Sequence, residues 1–90
     1  MPKYVIEREI AGAGKMTEEQ FHQAAKHSVE VLKSLGPDIQ WLESYVTDNK
    51  LYCIYLAPNE AMIQEHAAKS GFPASRISLV RKVLEAADGE

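Results

Sequence analysis

The stretch IQWLESYVTDNKLYCIYLA, residues 39–57, decides the fold. Two runs rich in aromatic and β-branched residues flank Asp48-Asn49, a pair that tolerates the left-handed backbone of a two-residue hairpin turn. With Thr47 set opposite Lys50, the register pairs Tyr45 with Tyr52, Glu43 with Ile54 and Trp41 with Leu56 on one face. Strand alternation then puts Ser44 with Cys53 and Leu42 with Tyr55 on the other. Each face is substantially apolar.

On the N-terminal side, KYVIEREI at residues 3–10 reads as a strand that ends in the turn-permissive Ala11-Gly12-Ala13-Gly14. Thr17-Glu18-Glu19-Gln20 offers a capping box, the Thr17 hydroxyl accepting from the Gln20 amide while the Gln20 side chain reaches back. The stripe Phe21, Ala24, Ala25, Ser28, Val31, Leu32 and Leu35 keeps three-and-four spacing and predicts a helix, closed by Gly36-Pro37. On the C-terminal side, Asn59 caps a second helix whose stripe is Met62, Ile63, His66, Ala67 and Ser70, with Gly71 as its end. Gly71-Phe72-Pro73 makes a loop with an aromatic anchor. In RISLVRKVLEAADGE, residues 76–90, Ile77, Val80, Leu84 and Ala87 fit a helix while the Ile and Val content fits a strand. Read as a strand, it completes an α+β chain of order βαββαβ, the ferredoxin-like plan in which a four-stranded antiparallel sheet carries two helices on one face. Residues 1–90 then form a single domain, with 86–90 as a frayed tail.

Ninety residues leave room for one core, so separate cofactor and substrate modules are excluded. Cys53 is the only cysteine, which rules out an internal disulfide and suits a reducing, cytoplasmic setting. Thirteen acids against ten bases give a formal charge of -3, a field that does not attract a phosphate backbone, so no nucleic-acid partner is expected. No apolar run approaches the roughly 20 residues that span a bilayer, so no membrane role is expected. Two helices cover one side of the sheet only, and the apolar open face calls for a cover. A homodimer through that open sheet face is the simplest one.

YVIER at 4–8, IQWLESYVTDNKLYCIYLAPNE at 39–60, EHA at 65–67 and GFP at 71–73 together resemble the DUF4242 family over nearly the whole chain. That resemblance implies a small ferredoxin-like protein that forms homodimers, and it favours a fourth strand within residues 77–85. It also implies binding of a divalent metal ion, nickel first, because at least one relative binds nickel.

Among candidate residues His66 is the most informative, since the helix stripe turns it toward the sheet. There the polar strand residues Glu7, Tyr55, Ser44 and Cys53 are its prospective partners if they share its face. It is either a satisfied histidine of the interior or, with Glu7 and Cys53, part of a metal site of the borderline donors that suit nickel or zinc. In Glu7-Arg8-Glu9, alternation groups Glu7 with Val5 and Glu9, and Arg8 with Tyr4 and Ile6. Cys53 between Tyr52 and Ile54 also fits a small core residue. Glu18 and His22, four apart on the outer face of the first helix alongside His27, are placed to share an exposed metal with another molecule, or simply form a solvated face.

The rival function is a cofactor-free enzyme or small-molecule-binding protein. Its pocket would lie between the second helix and the sheet or at the dimer interface, lined by Tyr45, Tyr52 or Tyr55. A purely structural interaction protein is the third reading. Gly12-Ala13-Gly14-Lys15 is a loop and not a phosphate-binding motif, because the G-x-x-x-x-G-K-[ST] spacing is absent.

Overall fold

The computed structural model describes residues 1–90. Strand β1 (Lys3–Glu9) obeys the period of two: Tyr4, Ile6 and Arg8 are buried, while Lys3, Val5 and Glu7 are only half-buried. A 3₁₀ turn, Ala13–Lys15, leads to helix α1 (Glu18–Leu35). Its capping box is formed as the sequence predicts, with Gln20 N donating to Thr17 Oγ1 at 3.1 Å and Thr17 N donating to Gln20 Oε1 at 2.8 Å. Two otherwise orphaned helix-end amides are thereby satisfied.

Strands β2 (Gln40–Val46) and β3 (Lys50–Leu56) form the hairpin, closed by Thr47 N donating to Lys50 O at 2.9 Å. Tyr45 faces Tyr52, Ser44 faces Cys53 and Glu43 faces Ile54, as the turn dictates. Beyond Glu43 the expected register fails, for Trp41 lies opposite Tyr55 and Gln40 opposite Leu56. The cause is a bulge: Leu42 is the extra residue, left unpaired and 47% exposed, and one inserted residue moves every earlier side chain to the opposite face. Trp41 therefore belongs with Tyr55 and not with Tyr45. Its indole Nε1 donates to Ser44 Oγ at 2.9 Å, the partner a half-buried indole requires.

Helix α2 (Glu60–Ser70) starts where Met62 N donates to Asn59 Oδ1 at 3.0 Å. It ends at Gly71, whose φ of 81° is the left-handed conformation that favours glycine. Ile63, His66, Ala67 and Ser70 are its buried residues, in agreement with the stripe. The last segment resolves as strand β4 (Arg76–Leu79), shorter and earlier than the 77–85 window. Pairing Ile77 with the buried Ile6 rewards a strand there, whereas every residue from Arg81 onward is exposed and gains nothing from the sheet. Residues 86–90 hold an exposed 3₁₀ turn, Ala86–Gly89, in which Glu85 N donates to Asp88 Oδ2.

The four strands form one antiparallel sheet in the order β2-β3-β1-β4, so the chain is α+β with the ferredoxin-like plan. Tyr4, Ile6, Cys53, Tyr55 and Ile63 belong to one buried cluster, against which Leu32 and Leu35 of α1 and Met62 of α2 pack. Both helices thus lie on the same face. The opposite face carries Val5, Glu7, Tyr45, Tyr52 and Ile54, none of them buried. No helix of the chain is long and apolar enough to cross a membrane.

Candidate functional site

The inward stripe of α1 uses small residues at Ala24, Ala25 and Ser28, and small side chains above a sheet leave space. That space is a cavity of about 510 Å³ between α1 and the strands, walled also by Trp41, Cys53, Tyr55 and Phe72. The space opens to solvent past the exposed wall residues Val46 and Pro73, so it is a cleft that a molecule from solution can enter.

One wall holds a charge. Arg8 is 2% exposed, although its neighbours Tyr4 and Ile6 are ordinary apolar core residues. Its Nη1 donates to Pro73 O at 2.8 Å, and its guanidinium carbon lies 6.0 Å from the Tyr55 ring centre and 5.9 Å from that of Phe72. Both rings supply cation–π attraction. Nη2 is sealed from solvent and has no hydrogen-bond partner.

Behind the wall runs a buried polar chain. Ser28 Oγ lies 3.3 Å from His66 Nε2 and 3.5 Å from the Tyr55 hydroxyl, and the His66 and Tyr55 rings pack with centres 5.4 Å apart. His66 is 0% exposed, and its Nδ1 has no partner. Burial, foremost, and the nearby Arg8 charge hold its pKa below the usual histidine value, against the opposing pull of the Ser28 backbone. The imidazole is therefore neutral at neutral pH. Burial pushes the Tyr55 hydroxyl up, with Ser28 and Arg8 pulling the other way. Tyr45, on the open face, is also raised, through its hydrogen bond and proximity to Glu43.

The candidate residues separate into three places. His66, Tyr55 and Cys53 lie on the helix side of the sheet, where Tyr55 and Cys53 line the cavity and His66 stands behind Ser28. Glu7 is not with them. It pairs with Tyr52 on the open face and meets Lys50 Nζ at 3.8 Å, because adjacent strand positions point to opposite sides and Arg8 holds the inward one. The same alternation divides the tyrosines: Tyr45 and Tyr52 share the open face while Tyr55 points inward, so the three do not line one pocket. Glu18 and His22 lie exposed on α1. His27 is exposed on α1 as well, and from there its Nε2 lies 2.8 Å from Ser70 O and its ring edge meets Phe72, tying α1 to the end of α2. No three His, Cys, Asp or Glu side chains converge within the chain.

The cavity also differs in position from the expected one, lying under α1 and not under α2. Arg8, Trp41 and Ser28 were not among the candidate residues. For Arg8 the signal was present, since alternation groups it with Tyr4 and Ile6, the most deeply buried set of β1.

The sequence matches the family described as nickel responsive protein SCO4226-like over residues 4–80. The crystal structure of SCO4226 from Streptomyces coelicolor A3(2) superposes with a TM-score of 0.76 at 19% identity, covering 91% of this chain and 99% of that one. No curated protein matches the sequence. The chain belongs to the SCO4226-like family.

Proposed function

We propose that this member of the family is a small-molecule-binding protein whose cavity under α1 takes a compact, largely apolar organic molecule. The observation that carries this reading is the cavity itself: about 510 Å³, with mainly apolar walls, in a chain of only 90 residues. Ligand pockets usually measure about 300–1,000 Å³ and are lined by apolar and aromatic side chains with a few polar groups. Trp41 is the only tryptophan and lies in the wall, so its emission reports occupancy directly. Titration with the neutral fluorophore N-phenyl-1-naphthylamine is expected to give saturable binding in the micromolar range with energy transfer from Trp41. Ala24→Phe, which fills the space, is expected to abolish it while the protein remains folded by circular dichroism. Unsaturable uptake, or equal binding by the filled variant, would refute the assignment.

The family description supports a second reading, a response to nickel through direct binding. Of the proposed ligands His66, Glu7, Cys53, His22 and Glu18, the pair Glu18 and His22 is the most accessible, one helical turn apart on α1. Imidazole and carboxylate suit nickel, and a second copy of the chain would complete the coordination. The apolar open sheet face, with Val5, Tyr45, Tyr52 and Ile54, is the surface we assign to a homodimer. Calorimetric titration of the tag-free protein with nickel, zinc and cobalt tests the metal, with light scattering run in parallel for the dimer. Nickel affinity better than millimolar that disappears in His22→Ala is the expected result. Affinity no better than millimolar for all three ions removes the metal reading.

A further inference from the structure

We infer that the cavity selects an organic monocarboxylate, an anionic head on an apolar, ring-sized body, and that Arg8 is the residue that binds the carboxylate. This rests on the cavity being a binding site and adds the chemical class of its ligand.

A guanidinium does not lose its proton in a protein, so at 2% exposure Arg8 is a permanent charge in the interior. Such a charge is costly unless it is paired. Within the chain it has one carbonyl, that of Pro73, and two aromatic rings, but no counter-ion. All three ion pairs of the protein are made by lysines, Lys50 with Glu7 and Glu9, and Lys69 with Glu65. Each group that touches the guanidinium, namely Pro73, Phe72 and Tyr55, is itself a wall residue of the cavity. Arg8 itself lines the cavity, and its charge, which nothing within the chain compensates, is complementary to an anion entering that space.

The rest of the wall narrows the class. Arg8 is the only charged residue that lines the cavity, so a single negative charge is compensated and a dianion is not. A cation is repelled. Phe21, Trp41, Tyr55 and Phe72 offer aromatic surface for a flat body, and the hydroxyls of Ser28 and Ser44 are the only other side-chain oxygens besides that of Tyr55. Charge-assisted hydrogen bonds to a carboxylate are about twice as strong as neutral ones.

Displacement of N-phenyl-1-naphthylamine by matched naphthalene compounds tests the inference. Naphthalene-1-acetate is expected to bind about ten- to a hundredfold more tightly than its neutral amide. It should also bind more tightly than naphthyl phosphate, while 1-naphthylmethylamine binds weakest. In Arg8→Met, which keeps the volume and removes the charge, the acid and the amide should bind alike while the neutral fluorophore still binds. Arg8→Lys, which keeps the charge, should retain part of the preference and covers the case in which the methionine variant fails to fold. Equal binding of acid and amide by the wild type overturns the monocarboxylate assignment and leaves the cavity reading standing. Preference for the phosphate overturns the class in favour of a dianion. Failure of every compound, the fluorophore included, removes the cavity reading itself.

Discussion

His66→Ala is expected to lower the unfolding free energy by about 2–4 kcal/mol, a loss on the order of 10–30 °C in melting temperature for a domain of this size. The ring is 0% exposed, packs on Tyr55 and shares a hydrogen bond with Ser28, so its removal leaves a void and takes from the Ser28 hydroxyl the nearer of its two partners. His66→Gln, which can present an amide to Ser28, should recover part of the loss. The wild type should also weaken as the solution is acidified. Because burial and Arg8 depress the folded-state pKa below about 6.5, the unfolded chain binds more protons in that window. The associated stability is complete above about pH 6.5 and declines as the pH falls toward the lowered folded-state value. Melting curves at pH 7.5, 6.5 and 5.5 should show a slope in the wild type that is reduced in His66→Ala. An alanine variant that melts like the wild type would mean that the buried chain Tyr55–Ser28–His66 contributes nothing to the fold.

The parts of this fold that local rules govern are the parts that can be read from the sequence. The hairpin turn, both helix caps and the burial of His66 follow from chemistry within four or five residues. The bulge at Leu42 does not, since it answers a tertiary need: it brings Trp41 to the helix side, where Ser44 receives its N–H. Without it the largest side chain of β2 would stand on the open face. The short β4 is of the same kind, because Arg76–Leu79 becomes a strand only through its pairing with β1, which no periodicity within residues 76–90 encodes. In Glu7-Arg8-Glu9 alternation puts Arg8 with Tyr4 and Ile6 and Glu7 on the other face, so of the two it is Arg8 that reaches the helix side. A buried charge breaks the apolar pattern at the very place where the cavity exists, which is where a departure from that pattern carries functional meaning. Cys53 illustrates the limit of such reading, because facing the cavity and filling the core require the same position on β3.

Tyr55 and Tyr45, both offered by the sequence as pocket-lining tyrosines, should respond to substitution in opposite ways, and Tyr55→Ala should be the most damaging change at the site. Tyr55 is 2% exposed on β3, flanked by β1 through its pairing with Tyr4 and by β2 through Trp41. Its ring meets both Arg8 and His66, and its hydroxyl lies against Ser28, so one truncation opens the core, removes a cation–π partner and breaks the polar chain. Truncation of a buried aromatic costs about 3–5 kcal/mol. Stabilities of about 0.05–0.15 kcal/mol per residue make that loss a large share of the whole stability of a small domain, so a marked fall in the urea midpoint is the expected outcome. Tyr55→Phe keeps the ring and should lose about 1 kcal/mol with the hydroxyl. Tyr45→Ala, at a position 54% exposed on the open face, should change monomer stability by no more than about 0.5 kcal/mol. Urea unfolding of the three variants decides the matter, because equal effects at positions 45 and 55 would contradict the alternation that places one in the cavity wall and the other on the opposite surface.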